Sequence, residues 1–326
     1  MTAHNAPAAG RPARARLTAL AVSLALAAGA AGAQAADYRF MTGPQGGSWY
    51  PLGGAISNLA RDTLADSRLR VMPGGGITNV MAVEAGKAQF ALSNVTAAVD
   101  AIAGRPPFDG AAANIRHLAT LYPQVFQFVV AADSGIQTVA DMRGRAIAVG
   151  PRGHTGEQAS RHVLDVYGLG YDDLSSVNHV GYTDAVSLIK DGHIDAFTVI
   201  TTIPAGAVMD TAAGRPIRVL SIPADKLEAL KAHNPQYVPR TIPANTYPEQ
   251  TEEVTTFGTF THLIARADVP DDVVYGLLEA LVARRADLAA IVKAMDGVTP
   301  ADLATPVGVP FHPGAERFWR DQGLLN

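Results

Sequence analysis

The sequence predicts an α/β protein of two lobes joined by two extended segments. Three observations predict it. Early in the chain a strand-like run ends three times in small or polar residues and gives way to a helical run, the alternation of a parallel sheet covered by helices. From His117 to Ala131 the pattern turns extended with no helix in between, and Thr255 to Ala265 is a second long strand-like run. Read as crossings, these runs divide the chain into a first lobe, 37–122 plus 248–326, and a continuous second lobe, 123–247.

The first unit runs from the apolar strand Tyr38 to Thr42 into Gly43-Pro44-Gln45-Gly46-Gly47-Ser48-Trp49-Tyr50-Pro51. Leu52, Ala55, Ile56 and Leu59 then recur at helical spacing. Ser48 suits an N-cap, and Pro51 is tolerated in a first turn, where N–H groups have no helical partner. The loop brings bare backbone at Gly46 and Gly47, the Ser48 hydroxyl and the rings of Trp49 and Tyr50 to the positive end of a helix, which suits a carboxylate. A tight turn with packed rings is the alternative.

Arg68 to Met72 predicts a strand ended by Pro73-Gly74-Gly75-Gly76, and the helical run with Val80, Met81 and Val83 closes at Gly86. Gln89 to Leu92 predicts a short strand with Ser93 and Asn94 at its end, before a helix over Val95 to Ile102. Ligands of open α/β sheets bind beyond the carboxyl ends of strands, which makes Ser93 and Asn94 candidate contacts; both are also ordinary N-cap residues. Arg105-Pro106-Pro107 opens a loop. The extended region reads as His117 to Tyr122, a pause at Pro123, and Val125 to Ala131, with Tyr122-Pro123-Gln124 crossing between lobes.

In the second lobe the strand Ala146 to Val149 leads into Gly150-Pro151-Arg152-Gly153-His154-Thr155-Gly156-Glu157-Gln158, a second glycine-rich loop entering a helix. Thr155 and Gln158 have the spacing of a capping box. Facing the first loop across a cleft, this loop would hold the other end of a small polar ligand; a pair of purely structural turns is the alternative. Next come a strand over Val177 to Val180, a helix over Thr183 to Lys190, a strand over Ala196 to Ile200 and a helix opening at Thr201-Thr202-Ile203-Pro204. Arg218 to Ile222 reads as a strand, Lys226 to Ala232 as a helix, and Pro235 to Pro248 as a proline-spaced extended region. Beyond the second crossing, Asp271 to Ala294 predicts one long amphipathic helix, and the irregular tail ends in a short helix near Ala315 to Arg320.

With 326 residues, 48% of them hydrophobic, the chain can bury two ordinary cores. The first 35 residues hold Arg11, Arg14 and Arg16 and no acid; the remainder carries 23 basic and 30 acidic residues, a balance of −7 that argues against nucleic acid as a partner. There is no cysteine, which excludes disulfides, cysteine–metal sites, a thiol nucleophile and a lipid-attachment cysteine. The basic stretch Arg11 to Arg16, the apolar run from Leu17 to about Ala31 and Ala33-Gln34-Ala35 fit a cleaved secretory signal over 1–35, so an exported, periplasmic protein is expected. An uncleaved anchor or an alanine-rich tail is the alternative. No G-x-S-x-G or H-E-x-x-H motif occurs, and Asp172-Asp173 and Asp271-Asp272 read as helix-start acids, so no enzyme, metal or cofactor is expected.

Several segments together resemble a known family. Gly46-Gly47-Ser48-Trp49-Tyr50-Pro51-Leu52-Gly53-Gly54-Ala55 is similar to a G-G-T-Y-Y-P-x-G-G-A segment of the TAXI-type solute receptors of tripartite ATP-independent periplasmic (TRAP) transporters. Pro73-Gly74-Gly75-Gly76 with Asn79, Leu121-Tyr122-Pro123-Gln124, the stretch from Arg143-Gly144 to Gly156-Glu157, and Asp191-Gly192-His193-Ile194-Asp195-Ala196-Phe197 follow in the expected order. The resemblance implies a type II periplasmic-binding-protein fold and delivery of a small organic anion or amino acid to a membrane permease, by a receptor expected to be a monomer. Departures are Gln124 and Ser93-Asn94-Val95 where acids are common, His154 for a small residue, and Trp49 for Tyr. Losing two acids favours an organic acid such as a dicarboxylate or keto acid over a glutamate-like amino acid, because an ammonium group needs a carboxylate or other acceptors. The expected contacts are therefore Ser48 and Thr155 with their helix N-termini at Gly46, Gly47, Gly153 and Gly156, the rings of Trp49, Tyr50 and Tyr122, and the polar groups of Ser93, Asn94, Gln124, His154, Thr201 and Thr202. A receptor of an ABC importer with the same fold is the second reading, and a secreted hydrolase the third.

Overall fold

Two long strands set the architecture, and every other element hangs from them. In the computed structural model residues 1–4, 36–64 and 67–325 are described; the basic and apolar parts of the expected targeting segment lie outside the described residues. The chain runs β1 (Ala36–Met41), α1 (Trp49–Thr63), β2 (Ser67–Met72), α2 (Gly76–Glu84), β3 (Phe90–Asn94) and α3 (Val95–Ile102) into β4 (Ile115–Ala131). Then follow β5 (Ala146–Ala148), α4 (Thr155–Val166), β6 (Ser176–Asn178), α5 (Tyr182–Lys190), β7 (Ala196–Thr201), α6 (Gly206–Gly214), β8 (Ile217–Val219), α7 (Ala224–His233) and β9 (Val238–Ile242). The return strand is β10 (Val254–Arg266), followed by α8 (Asp271–Ala283), α9 (Arg285–Ile291), α10 (Pro300–Leu303) and α11 (Pro313–Asp321).

The sheet order is β2-β1-β3-β10-β4-β7-β5-β6, with β8 on β4 and β9 on β10. β1 with β3, and β5 with β6 and β7, are parallel. The two long strands are antiparallel to their neighbours, β10 to β3 and β4, and β4 to β7. A wholly parallel sheet is thus corrected to a mixed one, because the two segments that carry the chain out and back run in opposite senses.

β4 is one strand of 17 residues, without the pause expected at Pro123. Proline gives no N–H to a ladder; Pro123 is exposed and lies opposite Phe260, beside a register shift between Phe260 and His262 that takes up the irregularity. The helix expected over Asp271 to Ala294 breaks at Arg284, and after the bend Leu288, Val292 and Met295 return to the core that holds Leu281. The helix expected from Thr201 begins at Gly206, since Thr201 still belongs to β7, and the proline-spaced region conceals β9 paired with β10.

Along β4 the packing changes from one core to another. Leu121 and Tyr122 join the cluster around Phe40, Leu278 and Trp319, whereas Val125 and Phe126 join clusters around Phe197 and Val163. Along β10, Val254 and Phe257 pack with the latter clusters and Leu263 with the former. The change on β10 lies between Phe257 and Leu263.

Candidate ligand-binding site

The capping or first residue of four helices lines one cavity of about 30 Å³: Ser48 and Trp49 of α1, Gly75 and Gly76 of α2, Asn94 before α3, and His154 and Thr155 of α4. The first N–H groups of a helix have no acceptor within it, and its N-terminus carries partial positive charge. No Asp, Glu, Lys or Arg is among the lining residues. The cavity is lined by the starts of four helices and by no charged side chain, a setting that attracts an anion.

Glycine makes the close approach possible. A Cβ on Gly75 would stand 2.4 Å from the His154 ring, and one on Gly76 would stand 2.0 Å from Thr155 Oγ1. Beside them the Thr78 N–H donates to the Gly153 carbonyl at 3.2 Å, and Gly153 takes φ +76°, where a side chain would be strained. The tri-glycine run at 74–76 thereby brings α2 against the start of α4.

Two expected caps are replaced by other arrangements. Ser48 has helical dihedrals and makes no capping bond; its hydroxyl accepts from the Tyr122 hydroxyl at 3.0 Å and lies 3.4 Å from Thr201 Oγ1. The N-cap of α4 is His154, so Thr155 is the first helical residue and the Thr155–Gln158 capping box does not form. Gln158 donates instead to the Pro106 carbonyl at 3.5 Å. The Thr155 hydroxyl is buried with no hydrogen-bond partner. Leaving such a group unpaired costs about 1–3 kcal/mol, a cost that an acceptor arriving in the cavity would remove.

Gln124 ties the walls together. With its amide nitrogen turned to the Ile200 carbonyl at 3.2 Å, its oxygen accepts from Trp49 Nε1 and from the Thr261 hydroxyl at 3.1 Å. Tyr182 closes a further side, its hydroxyl donating to the Ile200 carbonyl at 3.2 Å while burial lifts its pKa to about 12. Burial lowers the pKa of His154, only partly offset by Glu157, so near neutral pH its ring is uncharged. Among the described residues no group of three or more His, Cys, Asp or Glu is arranged to hold a metal ion.

Nine of the residues singled out from sequence line the cavity: Gly47, Ser48, Trp49, Asn94, Gln124, His154, Thr155, Gly156 and Thr201. Tyr122 stands behind Ser48, and Ser93 is buried with its hydroxyl donating to the Gly76 carbonyl at 3.2 Å, where it fixes the start of α2. Gly153 contributes its carbonyl to Thr78, Gly46 packs near Thr183, and the Thr202 carbonyl accepts from the Gln127 side chain, all outside the lining. Tyr50 is 40% exposed. Adjacent helix residues are turned by about 100°, so placing Trp49 inward sends Tyr50 outward. Pro44, Gly75, Gly76, Tyr182 and Ile200 also line the cavity and were not singled out. Gly75 and Gly76 had a signal, a third glycine-rich strand-to-helix turn; Tyr182 and Ile200 had none.

The fold is that of periplasmic binding proteins. A protein of Bordetella bronchiseptica RB50 superposes with a TM-score of 0.55 at 15% identity, over 88% of this chain and 98% of that one. A Listeria monocytogenes protein assigned as an L-cystine ABC transporter gives 0.52 at 11% identity, over 82% and 98%. An ancestral arginine-binding protein bound to arginine gives 0.50 at 13% identity, over 81% and 100%. The sequence itself is more specific than these likenesses: residues 40–323 match the NMT1-like family, and the chain belongs to that family.

Proposed function

We propose that this protein is an exported, periplasmic receptor that captures a small organic acid between two closing lobes and presents it to the permease of a TRAP transporter. The observation that carries the reading is the buried, partnerless Thr155 hydroxyl beside four helix starts in an enclosure free of charged side chains. Each helix end contributes roughly 0.3–2 kcal/mol toward an anion. Micromolar binding needs about 8 kcal/mol, so hydroxyl and amide contacts from Thr155, Ser48 and Asn94 and burial against Trp49 supply the rest. The change of core along β4 and β10 supports two lobes, 37–122 with the chain after β10 crosses back, and the intervening segment, that close as a hinge. Binding makes and breaks no covalent bond; the closed pair of lobes is the signal read by the permease. The glycine-rich segments shared with TAXI-type receptors favour the TRAP permease as partner.

The second reading, an ABC-importer receptor, is favoured by the likeness of fold to the L-cystine and arginine proteins. An ammonium ligand would want a carboxylate, and none lines the cavity. Calorimetry with malonate, 2-oxoglutarate, glutamate and arginine tests the ligand: binding of the first pair supports an organic acid, and binding of the amino acids alone removes it. A permease gene beside the receptor gene favours TRAP, and an ATPase gene favours ABC.

A further inference from the structure

Away from the cavity, α3 carries a second junction between the two cores. Asp100 of α3 is 2% exposed and Asn234, just after α7, is 1% exposed. The Asn234 amide donates to Asp100 Oδ2 at 2.8 Å and to the Thr96 carbonyl at 3.4 Å. Its own oxygen accepts from the Gln236 N–H at 2.9 Å, so every polar atom of the amide is engaged. The other Asp100 oxygen accepts from Arg105 Nε at 2.7 Å. Asp100 stands among Ala97, Ala98 and Ala101 of one core, whereas Asn234 follows Leu230 and precedes Tyr237 of another. Burial raises the Asp100 pKa, with Arg105 and Asn234 acting against it. A carboxylate buried this deeply depends on its donors, and one of them comes from the opposite core.

The geometry points to Asp100 and Asn234 as a closure latch: a buried carboxylate and an amide that meet only when the two lobes are shut. The latch rests on the two-lobe receptor reading. Its place on α3 gives it a purpose, since the same eight-residue helix begins just after Asn94 of the cavity wall and holds Asn234 near its other end. An anion that draws the start of α3 toward α4 therefore seats the latch, and a seated latch holds the start of α3 against the anion. Both are positioning residues, since neither lines the cavity.

The absence of cysteine allows a direct test. Spin labels on Arg61→Cys and Asp191→Cys, both exposed positions in different lobes, give an interlobe distance by pulsed electron paramagnetic resonance without any ligand. Asn234→Asp keeps the acceptor for Gln236 and sets a carboxylate against Asp100; it is expected to shift the population to a longer distance. Asn234→Ala, which removes the bonds without adding charge, is expected to shift it less. Adding Asp100→Asn to Asn234→Asp restores one carboxylate and one amide and is expected to restore the short distance, which a general loss of stability would not do. Unchanged distances in both single variants, or no recovery in the double variant, overturn the latch. If the wild-type distance responds to malonate or 2-oxoglutarate while the variants match it, the latch fails and the receptor reading stands. If neither acid nor any variant moves the distance, both fail.

Discussion

A Cβ built on Gly76 would stand 2.0 Å from Thr155 Oγ1, and that hydroxyl has no hydrogen-bond partner. The two residues are far apart in sequence and belong to different helix starts. Their contact joins two walls of the cavity and buries a hydroxyl that has no partner.

Gly76→Ala places a methyl group where that hydroxyl stands. It should hold α2 and α4 apart and weaken binding of malonate or 2-oxoglutarate by tenfold or more in calorimetry. Affinity equal to wild type would show that the two helix starts need not meet.

Thr155→Val keeps the shape and removes the unpaired hydroxyl. Thermal stability without ligand should stay level or rise by up to about 1 kcal/mol, because a buried group without a partner is lost. Affinity for the acid should fall by about tenfold. A lowered melting temperature with unchanged affinity would assign the hydroxyl a structural bond instead.

Gln124→Glu restores an acid close to Trp49, Thr261 and the Ile200 carbonyl. Organic acids should bind at least tenfold more weakly to this variant at pH 7.5, and an amino acid should gain relative to them. Identical selectivity in the two proteins would place Gln124 outside recognition.

A buried pair should contribute to the pH dependence of stability, alongside His154, His162 and His312, whose pKa values burial also lowers. His117 of β4 and His262 of β10 face each other with their Nδ1 atoms 3.3 Å apart. Burial holds His117 down at about 3 and, with His117 beside it, holds His262 well below 6.5. In the unfolded chain a histidine titrates near 6.5, so between there and about 3 the unfolded state carries the extra protons. Stability is then fully present above about pH 6.5 and is lost on acidification, by about 1.4 kcal/mol per pH unit for each histidine that stays neutral. Urea midpoints should fall between pH 7.5 and 5, and less steeply in His117→Gln. A flat midpoint would contradict it.

The strand–turn–helix units and both long strands were legible because each rests on local chemistry: glycine before a helix, apolar periodicity within it, long apolar runs between. The two loops meeting at the cavity were legible for the same reason. What the sequence hid depends on contacts between distant residues. Thr155 looks like a cap, but the extended backbone at His154 takes that role. Pro123 looks like a break, but an irregular register with β10 accommodates it. Tyr182 and Ile200 reach the cavity only through the packing of α5 and β7, which no local pattern announces. Tyr50 lost its place to Trp49 by the turn of one helix residue.

The central claim is that helix starts and a lone hydroxyl, without a charged side chain, hold a carboxylate in this cavity. Calorimetry at pH 7.5 with 2-oxoglutarate on wild type, Thr155→Val and Gly76→Ala tests it most directly. The account predicts binding to wild type and at least tenfold loss in each variant. Equal affinity in all three proteins, or binding of glutamate or arginine with none of the keto acid, would contradict it.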